Sequence, residues 1–220
     1  MPRSWIEGRR RDPYYRAAQR EGLRSRAAFK LVQLEERFHL IRKGDRVLDL
    51  GAAPGGWSLV AREFAGAEGE VVAVDVRRVE PAPGIRVVRG RVGDPSLLDR
   101  LGPDRFDVLL SDMAPSLSGN YSTDHARSVE LVRLAFALAQ QVLREDGNFA
   151  AKVFQGDMVT DLVRDMGPSF DRFQATKPQA SREQSSEIYL VGRGFRARVP
   201  REPGLGGPPP DPRGEGDPGK

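Results

Sequence analysis

Twelve residues, RVLDLGAAPGGW at 46–57, constrain the fold more than any other stretch of the chain. Val47, Leu48 and Leu50 form an apolar run of the length of a buried strand. It gives way at once to Gly51 and the turn Ala52-Ala53-Pro54-Gly55-Gly56, before a helical pattern starts at Trp57. A strand feeding a helix through glycines lets the main chain approach a ligand closely and aims the helix's unpaired N–H groups at it. The spacing is G-x-x-x-G-G with a proline inside, not the G-x-G-x-x-G of a dinucleotide site, which argues against NAD. Asp49 precedes the first glycine, and a second apolar strand, 71–74, ends in Asp75. A carboxylate about 20 residues past the glycines, at the tip of the second strand, is where doubly wound folds hold a ribose diol. An adenosine-containing ligand is therefore expected; the bland alternative is a tight strand-to-helix turn with a surface aspartate after it.

The remaining strands follow in order. Residues 85–88 read as a third, and 106–110 as a fourth that ends in Ser111-Asp112-Met113-Ala114-Pro115. Asp112 thus falls at the carboxyl end of a strand, in the crevice where open parallel sheets bind ligands. A helix N-cap role is disfavoured by Pro115 and the loop after it, since the next helical pattern starts only around Asp124. That helix, 124–143, carries Val129, Val132, Ala135, Phe136 and Ala139 as its apolar stripe. The fifth strand, 149–154, has Lys152 in its middle. Burying an ammonium group costs several kcal/mol unless it is paired or solvated, so Lys152 is either an edge residue or a functional one. A helix over 157–166 and strands over 170–175 and 187–191 complete the pattern. No helical pattern separates the last two strands, so they form a hairpin and one of them runs antiparallel to its neighbours. Upstream, a helix over 25–40 places Ala28, Leu31, Val32, Leu34, Glu35 and Phe38 along one side. Lys30 lies off that stripe and on pattern alone is an ordinary exposed lysine. The expected fold is α/β, a doubly wound, mostly parallel seven-stranded sheet with one antiparallel strand.

The 220 residues, 39% of them hydrophobic, suit one domain with a proper core. The absence of cysteine excludes disulfides, thiolate catalysis and cysteine-held metals, and two histidines are too few for a histidine metal site. No metal is expected. No run approaches the roughly 18 apolar residues of a membrane span, and the N-terminal arginines lack the apolar core of a signal peptide. A cytoplasmic, membrane-free monomer is expected. Residues 1–24 read as a basic arm; the first 26 residues concentrate the basic excess, Arg3, Arg9, Arg10, Arg11, Arg16, Arg20, Arg24 and Arg26, interleaved with Trp5, Tyr14 and Tyr15. That mixture suits phosphate pairing and base stacking, with a merely solvated tail as the alternative. Residues 25–195 make the folded domain, and 196–220, rich in proline, glycine and charge, are expected to be disordered.

LDLGAAPGGW resembles the S-adenosylmethionine loop of the FtsJ-like ribose 2′-O-methyltransferases, in which Pro-Gly-Gly-Trp is a hallmark. GLRSRAAFKL resembles the stretch bearing the first lysine of that family's catalytic tetrad, SDMAPSLSGN its strand-four motif, DGNFAAKVFQG the second lysine, and SREQSSEIYLV the final motif with the tetrad glutamate. The resemblance runs from about Gly22 to Gly194 with the motifs in family order. It implies a Rossmann-like class I methyltransferase with Lys30, Asp112, Lys152 and Glu187 as catalytic residues. Gly51, Gly55, Trp57, Asp75, Asp94 and Asp112 would line the site for S-adenosyl-L-methionine as methyl donor, with no metal. The implied acceptor is a uridine ribose 2′-hydroxyl in large-subunit (23S-type) ribosomal RNA, in the assembled subunit. Lys152 would take the hydroxyl proton, or stay charged and orient the hydroxyl while stabilising developing alkoxide. One departure concerns the adenine: relatives read G-D-x-x-D where this chain has Gly90-Arg91, and only Asp94 matches. A same-family enzyme acting on transfer RNA or messenger caps is the nearest alternative. A non-catalytic RNA-binding assembly factor is more remote, because all four tetrad positions are filled.

Overall fold

A computed structural model describes residues 23–178 and 185–197; most of the basic arm, the tail from 198 onward and part of the polar stretch before the last strand lie outside the described residues. The elements are α1 (Leu23–Phe38), β1 (Arg46–Leu50), α2 (Gly56–Ala65), β2 (Glu70–Asp75), β3 (Ile85–Arg89), α3 (Ser96–Leu101), β4 (Phe106–Ser111), α4 (Tyr121–Val142), β5 (Leu143–Phe154), α5 (Val159–Met166), a 3₁₀ turn (Gly167–Ser169), β6 (Phe170–Thr176) and β7 (Glu187–Phe195). The seven strands form one sheet in the order β3-β2-β1-β4-β5-β7-β6. β1 to β5 pair in parallel, and β7 is antiparallel to both β5 and β6. The strand order reverses between β1 and β4, which makes their carboxyl ends the natural ligand crevice. Because β7 runs backwards, its first residue, Glu187, arrives at that same carboxyl edge, opposite Phe154.

Strand periodicity sorts the core into two layers. Val47, Val108, Leu110, Ala150, Tyr189 and Val191 face α1 and α2, where they meet Leu31, Leu34, Phe38, Trp57 and Val60. Leu48, Leu50, Val72, Leu109, Ala151, Val153 and Leu190 face the other way, against Leu97, Val129, Val132, Ala135 and Leu162 of α3 to α5. The α1 stripe holds, Glu35 included: it is buried at the helix end, where one carboxylate oxygen accepts the Leu40 and Ile41 N–H groups at 2.9 and 3.0 Å. Burial outweighs these hydrogen bonds and pushes its pKa up to about 7.

Three expectations need correction. α3 is a helix that the pattern did not announce, because its six residues bury only Leu97 and Leu101 and are too short to display a period. α4 starts at Tyr121, three residues ahead of expectation, because Asn120 caps it by accepting the Thr123 N–H at 3.0 Å. β5 starts at Leu143, directly after α4, and reaches β4 through a register shift across Arg144–Gly147, where Asp146 takes a φ of 61°. That polar stretch hides the strand from a hydrophobic pattern. Of the two readings left open for Lys152, the edge one is excluded: β5 lies between β4 and β7, and the lysine is 7% exposed. No helix among the described residues is long and apolar enough to cross a membrane.

Candidate active site

The glycine turn after β1 is shaped by contacts that tolerate no side chain. Gly51 takes φ 73° and donates its N–H to the Val74 carbonyl at 2.9 Å, and a Cβ there would stand 2.8 Å from the Met113 nitrogen. Ala53-Pro54 is cis, and Gly55, at φ 117°, caps α2. Asp75 ties this turn to the tip of β2: one carboxylate oxygen accepts the Ala53 N–H at 2.9 Å and the other the Arg77 N–H at 2.8 Å. Beneath the turn Trp57 is 2% exposed, its ring stacked on Tyr189 with centroids 5.5 Å apart. Asp49, fully buried on β1, accepts the Ser58 hydroxyl at 2.5 Å through Oδ2 while its Oδ1 has no partner. Burial pushes its pKa up to about 7, and the charges of Asp112 and Asp75 push the same way. Three carboxylates thus converge on the turn.

The next cluster is built on the face of the sheet that meets α1. Lys152 and Tyr189 are paired across β5 and β7, and Glu187, two residues before Tyr189, shares their face. Asp112 follows β4 immediately, its N–H held by the Leu50 carbonyl at 3.0 Å. Lys152 Nζ donates to the Asp112 main-chain oxygen at 2.7 Å and lies 3.0 Å from Asp112 Oδ1 and 3.9 Å from Glu187 Oε1. Lys30 reaches down from α1 to pair with Glu187 Oε2, which also accepts the Ser185 hydroxyl at 3.2 Å. Lys30 is therefore no ordinary surface lysine; its side chain is 13% exposed. Burial pushes the Glu187 carboxyl upward, but the Lys30 hydrogen bond and the charges of Lys152 and Lys30 outweigh it and hold the group below its ordinary value. Tyr189 donates its hydroxyl to Asp112 Oδ1 at 2.9 Å. Burial and the Asp112 and Glu187 charges hold its pKa well above the ordinary phenol value, so it stays a donor.

Lys30, Asp112, Lys152 and Glu187, expected from four distant motifs, therefore meet in one half-buried cluster beside the glycine turn. Asp94 does not join them. It stands past β3, where its Oδ1 accepts the Ser96 N–H and hydroxyl, both at 2.9 Å; those bonds pull its pKa below the ordinary carboxylate value. Tyr189 and Ser185 were not singled out by sequence, although Tyr189 was findable: it lies two residues from Glu187 on a strand and so had to share its face. Among the described residues no group of three or more histidines and carboxylates is placed to hold a metal ion.

A charged, partly desolvated cluster at the carboxyl edge of a parallel sheet, beside the glycine turn, is equipped to orient a hydroxyl and manage its proton. Comparison with known proteins agrees with that chemistry. The model of the FtsJ-like methyltransferase family matches residues 23–195. A protein of Methanosarcina barkeri named Ribosomal RNA large subunit methyltransferase E is 49% identical over 190 residues, 84% of this chain and 72% of that one. One of the same name from Methanothermobacter thermautotrophicus is 47% identical over 203 residues, 90% and 96% of the two chains. Among solved structures, a ribosomal RNA methyltransferase of Plasmodium falciparum matches with a TM-score of 0.72 and 28% identity, over 80% of this chain and all of that one. With the motifs, the sheet and the clustered side chains in accord, the chain belongs to the FtsJ-like methyltransferase family.

Proposed function

We propose that the protein is a cytoplasmic, monomeric, metal-independent enzyme that methylates the ribose 2′-hydroxyl of a uridine in large-subunit ribosomal RNA, with S-adenosyl-L-methionine as donor. The observation that carries this reading is the meeting of Lys30, Glu187, Lys152 and Asp112 next to the Gly51 turn. The names of the relatives support ribosomal RNA as the acceptor.

The residues round the turn fit such a donor. Asp75 and Asp112 gather negative charge, and Asp49 adds one unpartnered buried oxygen, where a sulfonium and an ammonium would be welcome, and Asp75 stands where a ribose diol is held. Gly51 and Gly55 keep the approach free of side chains, with Trp57 bracing them from below. When bound, the donor supplies an electrophilic methyl group. The protein's part is to present an oxygen to it. Lys152 Nζ meets the ribose hydroxyl, holds its oxygen in line and takes its proton as the new bond forms. Asp112 fixes Lys152 from the donor side and is itself fixed by Tyr189. Glu187, clamped by Lys30 and Ser185, holds Lys152 from the other. A lysine acting as proton acceptor must be neutral at the moment of attack, so single-turnover transfer should rise with pH, whereas a permanently charged orienting lysine would leave the profile flat.

The test is transfer of labelled methyl to large ribosomal subunits, free rRNA and tRNA, followed by mapping of the modified nucleotide. The expected result is transfer to the large subunit at a uridine ribose; transfer to tRNA alone would overturn it. Lys152→Ala should bind donor normally yet lose about two orders of magnitude or more in single-turnover rate, the usual worth of a positioned acid or base. Asp75→Ala should lose donor affinity first and regain transfer at saturating donor.

A further inference from the structure

Three exposed side chains rise from the segments that follow β4 and β5: Leu117, Tyr121 and Met158, 73%, 58% and 36% exposed. Scattered exposed apolar residues need no explanation, but Tyr121 is held too firmly to be scattered. Its ring stacks on His125, centroids 6.4 Å apart and planes 14° from parallel, and its hydroxyl donates to the Gln155 carbonyl. His125 is buried and anchored in turn, with Nδ1 2.9 Å from the Phe154 carbonyl oxygen. The glycine at 156 makes room for it, since a Cβ there would lie 2.4 Å from His125 Nε2. The loop before Tyr121 is equally fixed. Asp124 accepts the Ser118 N–H, the Ser118 hydroxyl and the Gly119 N–H at 2.8, 2.7 and 3.2 Å. One face of the Tyr121 ring is thus backed by protein while the rest meets solvent in a preset orientation, which is how a stacking platform is made.

Its place in the fold says what would stack there. Gln155, which holds the Tyr121 hydroxyl, donates its own N–H to the Ser186 carbonyl at 2.7 Å, next to Glu187. It also lies three residues beyond Lys152, about 10 Å at roughly 3.3 Å per residue. Resting on the methylation reading above, we propose that the base of the target nucleotide stacks on Tyr121, with Leu117 and Met158 as an apolar rim, while its ribose hydroxyl sits at Lys152. The base hangs from the ribose carbon adjacent to the one that bears the reacting hydroxyl, so fixing the base fixes the nucleophile. Single-stranded or extruded nucleotides are commonly held by such aromatic stacking. Arg127, exposed on the same helix with its guanidinium 3.5 Å from the Ser116 carbonyl oxygen, adds positive charge for the RNA backbone.

The test is a series at one position, Tyr121→Phe, →Trp, →Leu and →Ala, assayed for methyl transfer to large ribosomal subunits and for donor binding. Stacking is worth about 1–3 kcal/mol per base, so Ala and Leu should raise KM for RNA by about tenfold or more. Trp and Phe should restore it to within about twofold, donor affinity should not move, and kcat should fall by less than KM rises. If Phe is as impaired as Ala, the Gln155 hydrogen bond and not the ring is what matters, and the proposal fails. It fails equally if Leu matches Phe. If the wild-type enzyme methylates large subunits and no variant changes KM, the platform is refuted and the methylation reading stands; if the wild type methylates no ribosomal RNA, the methylation reading falls and the platform with it.

Discussion

Asp49 is buried completely, with Ser58 bound to one oxygen and nothing to the other. Its carboxyl therefore holds a proton up to about pH 7 in the folded chain, against about 3.8 as an isolated side chain. The folded-state value is raised, so the contribution to stability is present in full below the unfolded value and is lost as pH climbs through about 7. Asp49→Asn, a neutral mimic of the protonated acid, should melt higher than wild type at about pH 8, and the difference should disappear by about pH 4. At about 1.4 kcal/mol per unit the gain is on the order of a few kcal/mol. Thermal melts of the two proteins without donor across that range check it; a constant offset would show that the charge is not what the burial opposes.

At the level of elements, the seven strands and the antiparallel return of β7 could be read from apolar runs and a missing helical pattern, because a sheet buried on both faces writes its strands as unbroken hydrophobic stretches. What escaped was governed by something other than hydrophobic period: a cap at Asn120, a register shift across Arg144–Gly147, a helix of six residues. The same divide runs through the site. Lys152 announced itself as a charge in a buried strand, whereas Lys30 gave no local sign, since its burial comes from Glu187, 157 residues away. Asp94, expected from sequence as a ligand contact, has its Oδ1 engaged by the Ser96 N–H and hydroxyl just ahead of α3. The glycine turn makes a sharper prediction. Gly51→Ala must fit a Cβ 2.8–2.9 Å from Met113 main-chain atoms at a φ of 73°. We expect a loss of about 1–3 kcal/mol in stability and at least a tenfold loss in donor affinity, read by thermal melting and donor titration.

For the molecule as a whole, most of the arginine-rich arm lies outside the described residues, and its proposed work is RNA attraction. Neutralising Arg9, Arg10 and Arg11 should reduce the salt slope of RNA binding by about 2, three contacts at about 0.7 each, with donor binding unaffected. An unchanged slope would remove the arm from the interface. The reversed last strand has a consequence of another kind, in the order of synthesis. Emerging from the ribosome, the chain completes the Gly51 turn and Asp75 more than a hundred residues before Glu187 appears, and Lys30, made earlier still, waits for that carboxylate. A chain broken off before β7 lacks the strand that pairs with β5 and the acid beside Lys152, so on the proposed mechanism activity on RNA is expected only once nearly all of the fold has been translated.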